Sequence, residues 1–141
     1  MSKHQMFFGG NFFAHTLPPS KHWIFWDKLQ TMPTFGDGEL IWTSFQKSSI
    51  KKYTFQFNGL LTDSEDQREH PTQKPSELVG LLIRDYTEPD WIIGDCYSGS
   101  GTTALAAEQN GRRWIAVERE EKYVEIARGR IALETAQEKL F

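Results

Sequence analysis

Cysteine is almost missing: Cys96 is the single one among 141 residues. That excludes an intramolecular disulfide and any thiolate cluster for a structural metal, and it suits a reducing, cytoplasmic compartment. The four histidines, His4, His15, His22 and His70, lack the short spacing of a metal site, so no metal is expected. Long apolar runs are missing as well. The longest, Leu78 to Ile83 with Gly80 inside it, is far short of the ~20 residues that span a bilayer. Gly9, Gly10, Asn11 and His15 interrupt what would have to be the apolar core of a secretory leader. There is no surplus of positive charge either. Sixteen basic side chains stand against 19 acidic ones, so the chain as a whole lacks the electrostatic footprint of a nucleic-acid binder. No internal repeat or low-complexity tract occurs.

What is present is an aromatic-rich composition, 38% apolar and 25% charged, sufficient for one folded domain. Its distribution is uneven. Residues 1–60 hold six lysines against three acids, and 13 of the 19 aromatics, whereas residues 61–141 carry a net charge of −6. A basic, aromatic segment fits phosphates and stacked bases; aromatics filling the core of a small sheet account for the same composition. Asn11 to Leu17 reads as a short helix closed by Pro18-Pro19, and His22 to Trp26 as a buried strand. Leu40 to Phe45 and Lys52 to Phe57 read as two strands of an antiparallel hairpin. Lys47, Lys51 and Lys52 around it are a solvated surface before they are phosphate ligands. The polar stretch from Asn58 to Glu69 is an exposed loop that divides the sequence.

After Pro75 the apolar period becomes helical, with Leu78, Leu81, Leu82, Asp85 and Tyr86 on one stripe and Glu77 in the first turn, where the helix dipole favours a negative charge. Glu88-Pro89 ends that helix. Trp91 to Asp95 is a strand, Ser98 to Gly101 a glycine loop, and Thr102 to Gln109 a helix stopped by Asn110-Gly111. Arg112-Arg113 reads as a solvated pair before the next strand, Trp114 to Glu118. A long helix follows over Glu120 to Leu140, with Tyr123, Ile126, Ala127 and Ile131 recurring at three and four residues. This alternation is that of a parallel α/β sheet.

The glycine loop, Asp95-Cys96-Tyr97-Ser98-Gly99-Ser100-Gly101-Thr102-Thr103-Ala104, lies between a strand and a helix. Gly99 and Gly101 permit a tight turn and a close approach of backbone to ligand. As Gly-x-Gly-x-x-Ala it also fits a dinucleotide site with Glu118 on a ribose. Charge separates the two ligands. Asp95, at the mouth of the strand, repels a pyrophosphate but attracts the ammonium and sulfonium of S-adenosyl-L-methionine (AdoMet). Unit charges about 4 Å apart interact by about 4 kcal/mol at an effective dielectric of ~20. Tyr97 adds a cation–π face, and Glu118 ends the next strand where a carboxylate can accept from both ribose hydroxyls. Two strand-end acids acting only as helix caps are the plainer alternative.

Asp95 to Thr103 resembles the AdoMet-binding motif of amino-group DNA methyltransferases, Asp-Pro-Phe-x-Gly-Ser-Gly-Thr-Thr, with Cys96 in place of Pro and Tyr97 in place of Phe. His70-Pro71-Thr72-Gln73-Lys74-Pro75 is similar to the loop before the helix that closes the cofactor pocket in that family. Their order resembles the permuted subgroup in which the catalytic motif precedes both. Gly9 to Phe13, Leu17 to Pro19 and Trp26 to Lys28 are similar to the segment following that motif in small phage-type members. The resemblance implies cofactor contacts from Thr72, Lys74, Asp95, Tyr97, Gly99, Ser100, Gly101, Thr102 and Glu118. It also implies methyl transfer to adenine N6 or cytosine N4 in double-stranded DNA, in a bacterial or phage-infected cytoplasm. The family's Asp/Asn/Ser-Pro-Pro-Tyr/Phe motif, which grips the flipped base, does not occur in the sequence, so no catalytic residue is assigned. Leu17-Pro18-Pro19-Ser20 has an apolar residue at the acceptor position and no aromatic.

The expected architecture is a Rossmann-like, mostly parallel α/β sheet in one partial domain over residues 1–141. Residues 1–60 form the strands after the catalytic motif and residues 70–141 the AdoMet-binding half. Strands 91–95, 114–118 and 22–26 run parallel, beside a hairpin within residues 40–57. Because the strand preceding the missing motif would lie between 91–95 and 22–26, either residues 3–8 fill its place or a second chain supplies a strand. Three functions follow: a DNA methyltransferase fragment, a catalytically silent AdoMet-binding remnant or subunit, and, disfavoured by Asp95, an NAD-dependent oxidoreductase.

Overall fold

The computed structural model describes residues 2–29, 36–56 and 74–138. The chain divides into two compact units, Met1–Asp63 and Ser64–Phe141. The first holds strands β1 (Met6–Phe8), β2 (Trp23–Asp27), β3 (Gly38–Thr43) and β4 (Lys51–Thr54). The second holds helix α1 (Ser76–Tyr86), strand β5 (Ile92–Asp95), helix α2 (Thr102–Gln109), strand β6 (Arg113–Ala116) and helix α3 (Glu121–Glu138). The α/β class read from the sequence holds, and none of the described helices is long and apolar enough to cross a membrane.

In the first unit the strands are ordered β1-β3-β2-β4. β2, apolar from Trp23 to Trp26, takes a central position, with Ile24 and Trp26 buried. Its two neighbours are β3, antiparallel, with Trp23 opposite Trp42, and β4, parallel, with Ile24 opposite Lys51. The expected hairpin of residues 40–57 is therefore corrected: β3 and β4 are separated by β2. The intervening residues 44–50 contain no two-residue turn of the Asn-Gly type and instead pass across the end of β2, where the buried His22 donates its Nδ1 proton to the Ser49 carbonyl. Lysine-bearing β4 then falls at an edge, where charge discourages further pairing.

Two further expectations change for the same reason. Strand 22–26 has both edges taken by β3 and β4 and belongs to a different sheet from strands 91–95 and 114–118, with which it was expected to share one. Residues 6–8 do form a strand, but it pairs antiparallel with β3 at the opposite margin, Phe7 facing Trp42, and fills no central gap. The helix expected over residues 11–17 shrinks to a 3-10 turn at Gly10–Phe12. Much of the aromatic surplus serves the sheet. The indole N–H groups of Trp23, Trp26 and Trp42 donate to the carbonyls of Ser20, Phe55 and Pro18 at 3.1, 3.0 and 2.9 Å, satisfying the polar end of each large side chain.

Asp27, at the end of β2, accepts from the Leu29 amide at 3.0 Å and pairs with Lys52 at 3.0 Å. These contacts hold its pKa below the ordinary carboxylate value, the Leu29 amide contributing most and Lys52 next. A depressed carboxylate contributes stability that is complete above its unfolded pKa and disappears as pH falls through the folded one. Asp27→Asn keeps an acceptor for Leu29 but loses the charge. Its thermal midpoint is expected below that of the wild type at neutral pH and to converge with it below about pH 4. A gap that stays constant across that range would show that the ion pair is not its source.

In the second unit β5 and β6 pair in parallel, Ile93 beside Trp114 and Asp95 beside Ala116. Trp114 donates its indole proton to Glu108 of α2 at 2.7 Å, so the face bearing Ile93, Trp114 and Ala116 is the one that α2 covers. Ala104, Leu105, Ala106 and Ala107 are all buried, and their small size lets α2 lie close to both the strands and α1. On α1 the buried stripe is Leu78, Val79, Leu82, Ile83 and Tyr86. Asp85, expected on that stripe, is exposed and faces Arg84. Arg112 is likewise no solvated cation. Its guanidinium donates to the Thr87 hydroxyl and carbonyl and to the Asn110 carbonyl at 3.3, 3.1 and 2.6 Å, joining the end of α1 to the entrance of β6.

Candidate functional site

The site is built at the C-terminal ends of β5 and β6, where ligands bind in open α/β sheets. Asp95 closes β5 and accepts the Tyr97 amide on Oδ1 at 2.9 Å, a local turn that sends the chain sideways from the strand. Cys96 is exposed, and Tyr97 is 93% exposed. An aromatic ring projecting this far into water at a loop tip is available to a ligand rather than to the core. The chain then re-enters: the Ser98 amide donates to Val117 at 3.0 Å and the Val117 amide to Asp95 at 2.8 Å, extending the link between the two strand ends.

Gly99 and Gly101 adopt φ of 54° and 82°, the left-handed region that glycine enters without cost. Between them Ser100 is buried. The Gly101 amide donates to Ser98 at 2.8 Å, tightening the loop as it turns into α2. Thr102, also buried, is the first residue of that helix. At Gly101 a Cβ would lie 2.6 Å from the Ala127 Cβ of α3, so the absent side chain is what lets loop and helix touch.

Glu118 lies beyond β6, and its carboxylate binds back to the loop. Oε2 accepts the Gly99 amide at 2.8 Å, while Oε1 accepts the amides of Arg119 and Glu120 at 2.8 and 2.9 Å. One side chain thus ties the glycine loop to the entrance of α3, and it does so with an acid at each side of the loop, Asp95 before it and Glu118 across from it. The amides of Arg119 and Glu120 precede Glu121, the first residue of α3, so these bonds hold the turn into that helix.

Of the nine candidate cofactor residues, the structure brings Asp95, Tyr97, Gly99, Ser100, Gly101, Thr102 and Glu118 together in one loop cluster. Lys74 is half-buried and directly precedes Pro75, the residue from which α1 starts. Thr72 and His70 lie outside the described residues. No group of three or more His, Cys, Asp or Glu positioned for a metal occurs among the described residues. Sequence reasoning overlooked Arg130. Its Nη1 donates to the Ser100 carbonyl at 2.9 Å and reaches the Ser100 and Thr102 hydroxyls at 3.3 and 3.5 Å. The available signal was its position three residues after Ala127, on the same helical face.

Residues 16–129 match the family described as DNA methylase, of the N6 and N4 type. The chain is similar to the type II methyltransferase M.HinfI of Haemophilus influenzae, with 27% identity over 77% of this chain and 38% of that protein. It is also similar to the putative methylase YubD of Escherichia coli K12, with 43% identity over 46% of this chain and 29% of that protein. Among solved structures it resembles the M1.HpyAVI–SAM complex at 30% identity and a TM-score of 0.59, covering 77% of this chain and 60% of the other. The chain therefore spans well under half the length of these two curated relatives.

Proposed function

Because the chain belongs to the DNA methylase family of the N6 and N4 type, we propose that its second unit binds S-adenosyl-L-methionine and works in methyl transfer to the exocyclic amino group of adenine or cytosine in double-stranded DNA. The observation that carries this reading is the bond between Glu118 and the Gly99 amide, which sets an acid against the glycine loop with Asp95 at its other end. Asp95 suits the methionine ammonium, Tyr97 the cationic sulfonium, and Glu118 the ribose hydroxyls. Gly99, Ser100, Gly101 and Thr102 offer close backbone. Thr72 and Lys74 are assigned to the methionine carboxylate, where a hydroxyl and an ammonium are the matching donors.

The donor set fits the cofactor: two carboxylates and an exposed aromatic ring face a zwitterion that also carries a cationic sulfur, and a pyrophosphate would meet repulsion from both acids. When bound, the cofactor supplies an electrophilic methyl group on sulfur. The residues of this chain orient it and keep its charges matched; holding the target base falls to a Pro-Pro-aromatic motif that is absent from the 141 residues. The reading is completed by placing units 1–63 and 64–141 in one methyltransferase domain. The two-stranded sheet of β5 and β6, in which each strand has one edge without a paired strand among the described residues, supports association with a second chain that completes the sheet. The likeness of residues 9–28 to phage-type members supports a phage or prophage origin in a bacterial cytoplasm.

Calorimetric titration of the 141-residue chain with AdoMet is expected to give saturable one-to-one binding, whereas NADH gives none. Radiolabelled methyl transfer from AdoMet to mixed-sequence duplex DNA is expected to stay at background. A silent remnant predicts the same for the isolated chain, and adding a polypeptide that carries the missing motif separates the two: activity returns for a chain that works in methyl transfer and not for a remnant. NADH binding without AdoMet binding would overturn the assignment.

A further inference from the structure

We infer that Arg130 is a positioning residue for the cofactor loop, a reading that rests on the assignment of that loop to AdoMet. Ser100 and Gly101 share a peptide bond, with the Ser100 carbonyl at one edge and the Gly101 N–H at the other. The N–H donates to the Ser98 carbonyl at 2.8 Å. The carbonyl accepts from Arg130 Nη1 at 2.9 Å, and the same nitrogen reaches the Ser100 hydroxyl at 3.3 Å. Both edges of the plane are held, one from within the loop and the other from α3.

That plane leads directly into Gly101, left-handed at φ 82°, and Ser100 before it follows Gly99, left-handed at φ 54°. Glycine backbone has little intrinsic preference, so φ of Gly101 does not by itself fix the rotation of the peptide before it, and a contact from outside the loop does. Ser100 is 2% exposed, and a carbonyl this deep needs a partner. Arg130 Nη1 supplies one, and the same nitrogen reaches the Thr102 hydroxyl at 3.5 Å as well. It thereby ties the loop to the first residue of α2. Ala127, one turn earlier on α3, packs against Gly101, so the two residues form a single seat: a small side chain that admits the glycine and a long one that grips the carbonyl before it. The loop is held in its binding shape by α3, and the charge opposite Gly99, on Glu118, completes the hold from the other side.

The test compares Arg130→Met, which keeps an unbranched stem without donors, with Arg130→Lys, which keeps a charge and a donor. Amide hydrogen exchange is followed in the chain without ligand, and AdoMet affinity by titration. In Arg130→Met the amides of residues 99–102 are expected to exchange at least about tenfold faster while those of α1 are unchanged, and the AdoMet dissociation constant to rise about tenfold, the loss typical of one charged hydrogen bond. Arg130→Lys is expected to recover most of both. Loop exchange equal to wild type in Arg130→Met overturns the inference, as does acceleration spread evenly over α1, α2 and β5, which would make Arg130 a general stabiliser. If the wild-type chain binds no AdoMet, the cofactor assignment fails, and the exchange measurement still decides whether α3 sets the loop.

Discussion

Glu118→Gln is expected to weaken AdoMet binding by roughly 10- to 100-fold and to lower the thermal midpoint of the ligand-free chain. The carboxylate accepts on both oxygens, from Gly99 on one and from Arg119 and Glu120 on the other. An amide has one accepting oxygen. Whichever way it turns, its NH2 group meets a backbone N–H, donor against donor, and either the loop link or the turn into α3 is lost. A hydrogen bond to a charged group contributes about 1.5–3 kcal/mol, and each 1.4 kcal/mol is tenfold in affinity. Glu118→Asp divides the two roles. The shorter acid retains the charge and suits a turn that accepts the amide two residues on, but falls short of Gly99, so it is expected to keep most of the stability while still weakening the cofactor. Titration calorimetry and thermal unfolding on the three proteins read this out, and wild-type affinity in Glu118→Gln would remove Glu118 from the site.

Much of the second unit was readable because its signals are local. Glycine at 99, 101 and 111 marks turns, all three at positive φ, and α2 occupies the expected Thr102–Gln109. Asp95 ends β5 and Glu118 follows two residues after the end of β6, and parallel pairing of the two strands then brings both acids to the same end of the sheet. Arg130 escaped because a lone arginine on a long, charged helix carries no periodicity of its own. Its role exists only once α3 lies against the loop.

The first unit was less readable for a different reason. Two strands joined by seven residues, 44–50, are equally compatible with a hairpin and with a connection across a third strand, and the choice depends on which strand most needs to be central. Trp23 to Trp26 is apolar on successive residues, so β2 gains from neighbours at both edges, and the Lys51-Lys52 pair of β4 gains from an edge. Local alternation cannot express that competition. Residues 6–8 illustrate the same limit. Met6, Phe7 and Phe8 were expected to leave water, and they do join a sheet, but the free edge they find is that of β3, which also receives the Gln5 carbonyl through the Ser44 amide at 3.0 Å.

Gly101→Ala is expected to destabilise the chain by about 2–5 kcal/mol and to abolish measurable AdoMet binding. Two separable costs add. A left-handed backbone costs an L-residue about 1–2 kcal/mol, and Gly101 sits at φ 82°. The new methyl would also stand 2.6 Å from the Ala127 Cβ and 3.2 Å from its Cα; overpacking of this kind costs about 1–3 kcal/mol. The double variant Gly101→Ala with Ala127→Gly tells the two apart. Removing the Ala127 methyl relieves the closest contact but not the backbone strain, and glycine inside a helix itself costs about 1 kcal/mol. The double variant is therefore expected to be more stable than the sum of the two single losses predicts, by the part of the cost that was collision. Urea unfolding of the four proteins gives that coupling. Strict additivity would mean that the loop of Gly101→Ala has moved away from α3, in which case loss of AdoMet binding should be as complete in the double variant as in the single one. If the loop stays seated, the double variant regains a measurable affinity, because Arg130 and Glu118 still hold its two sides.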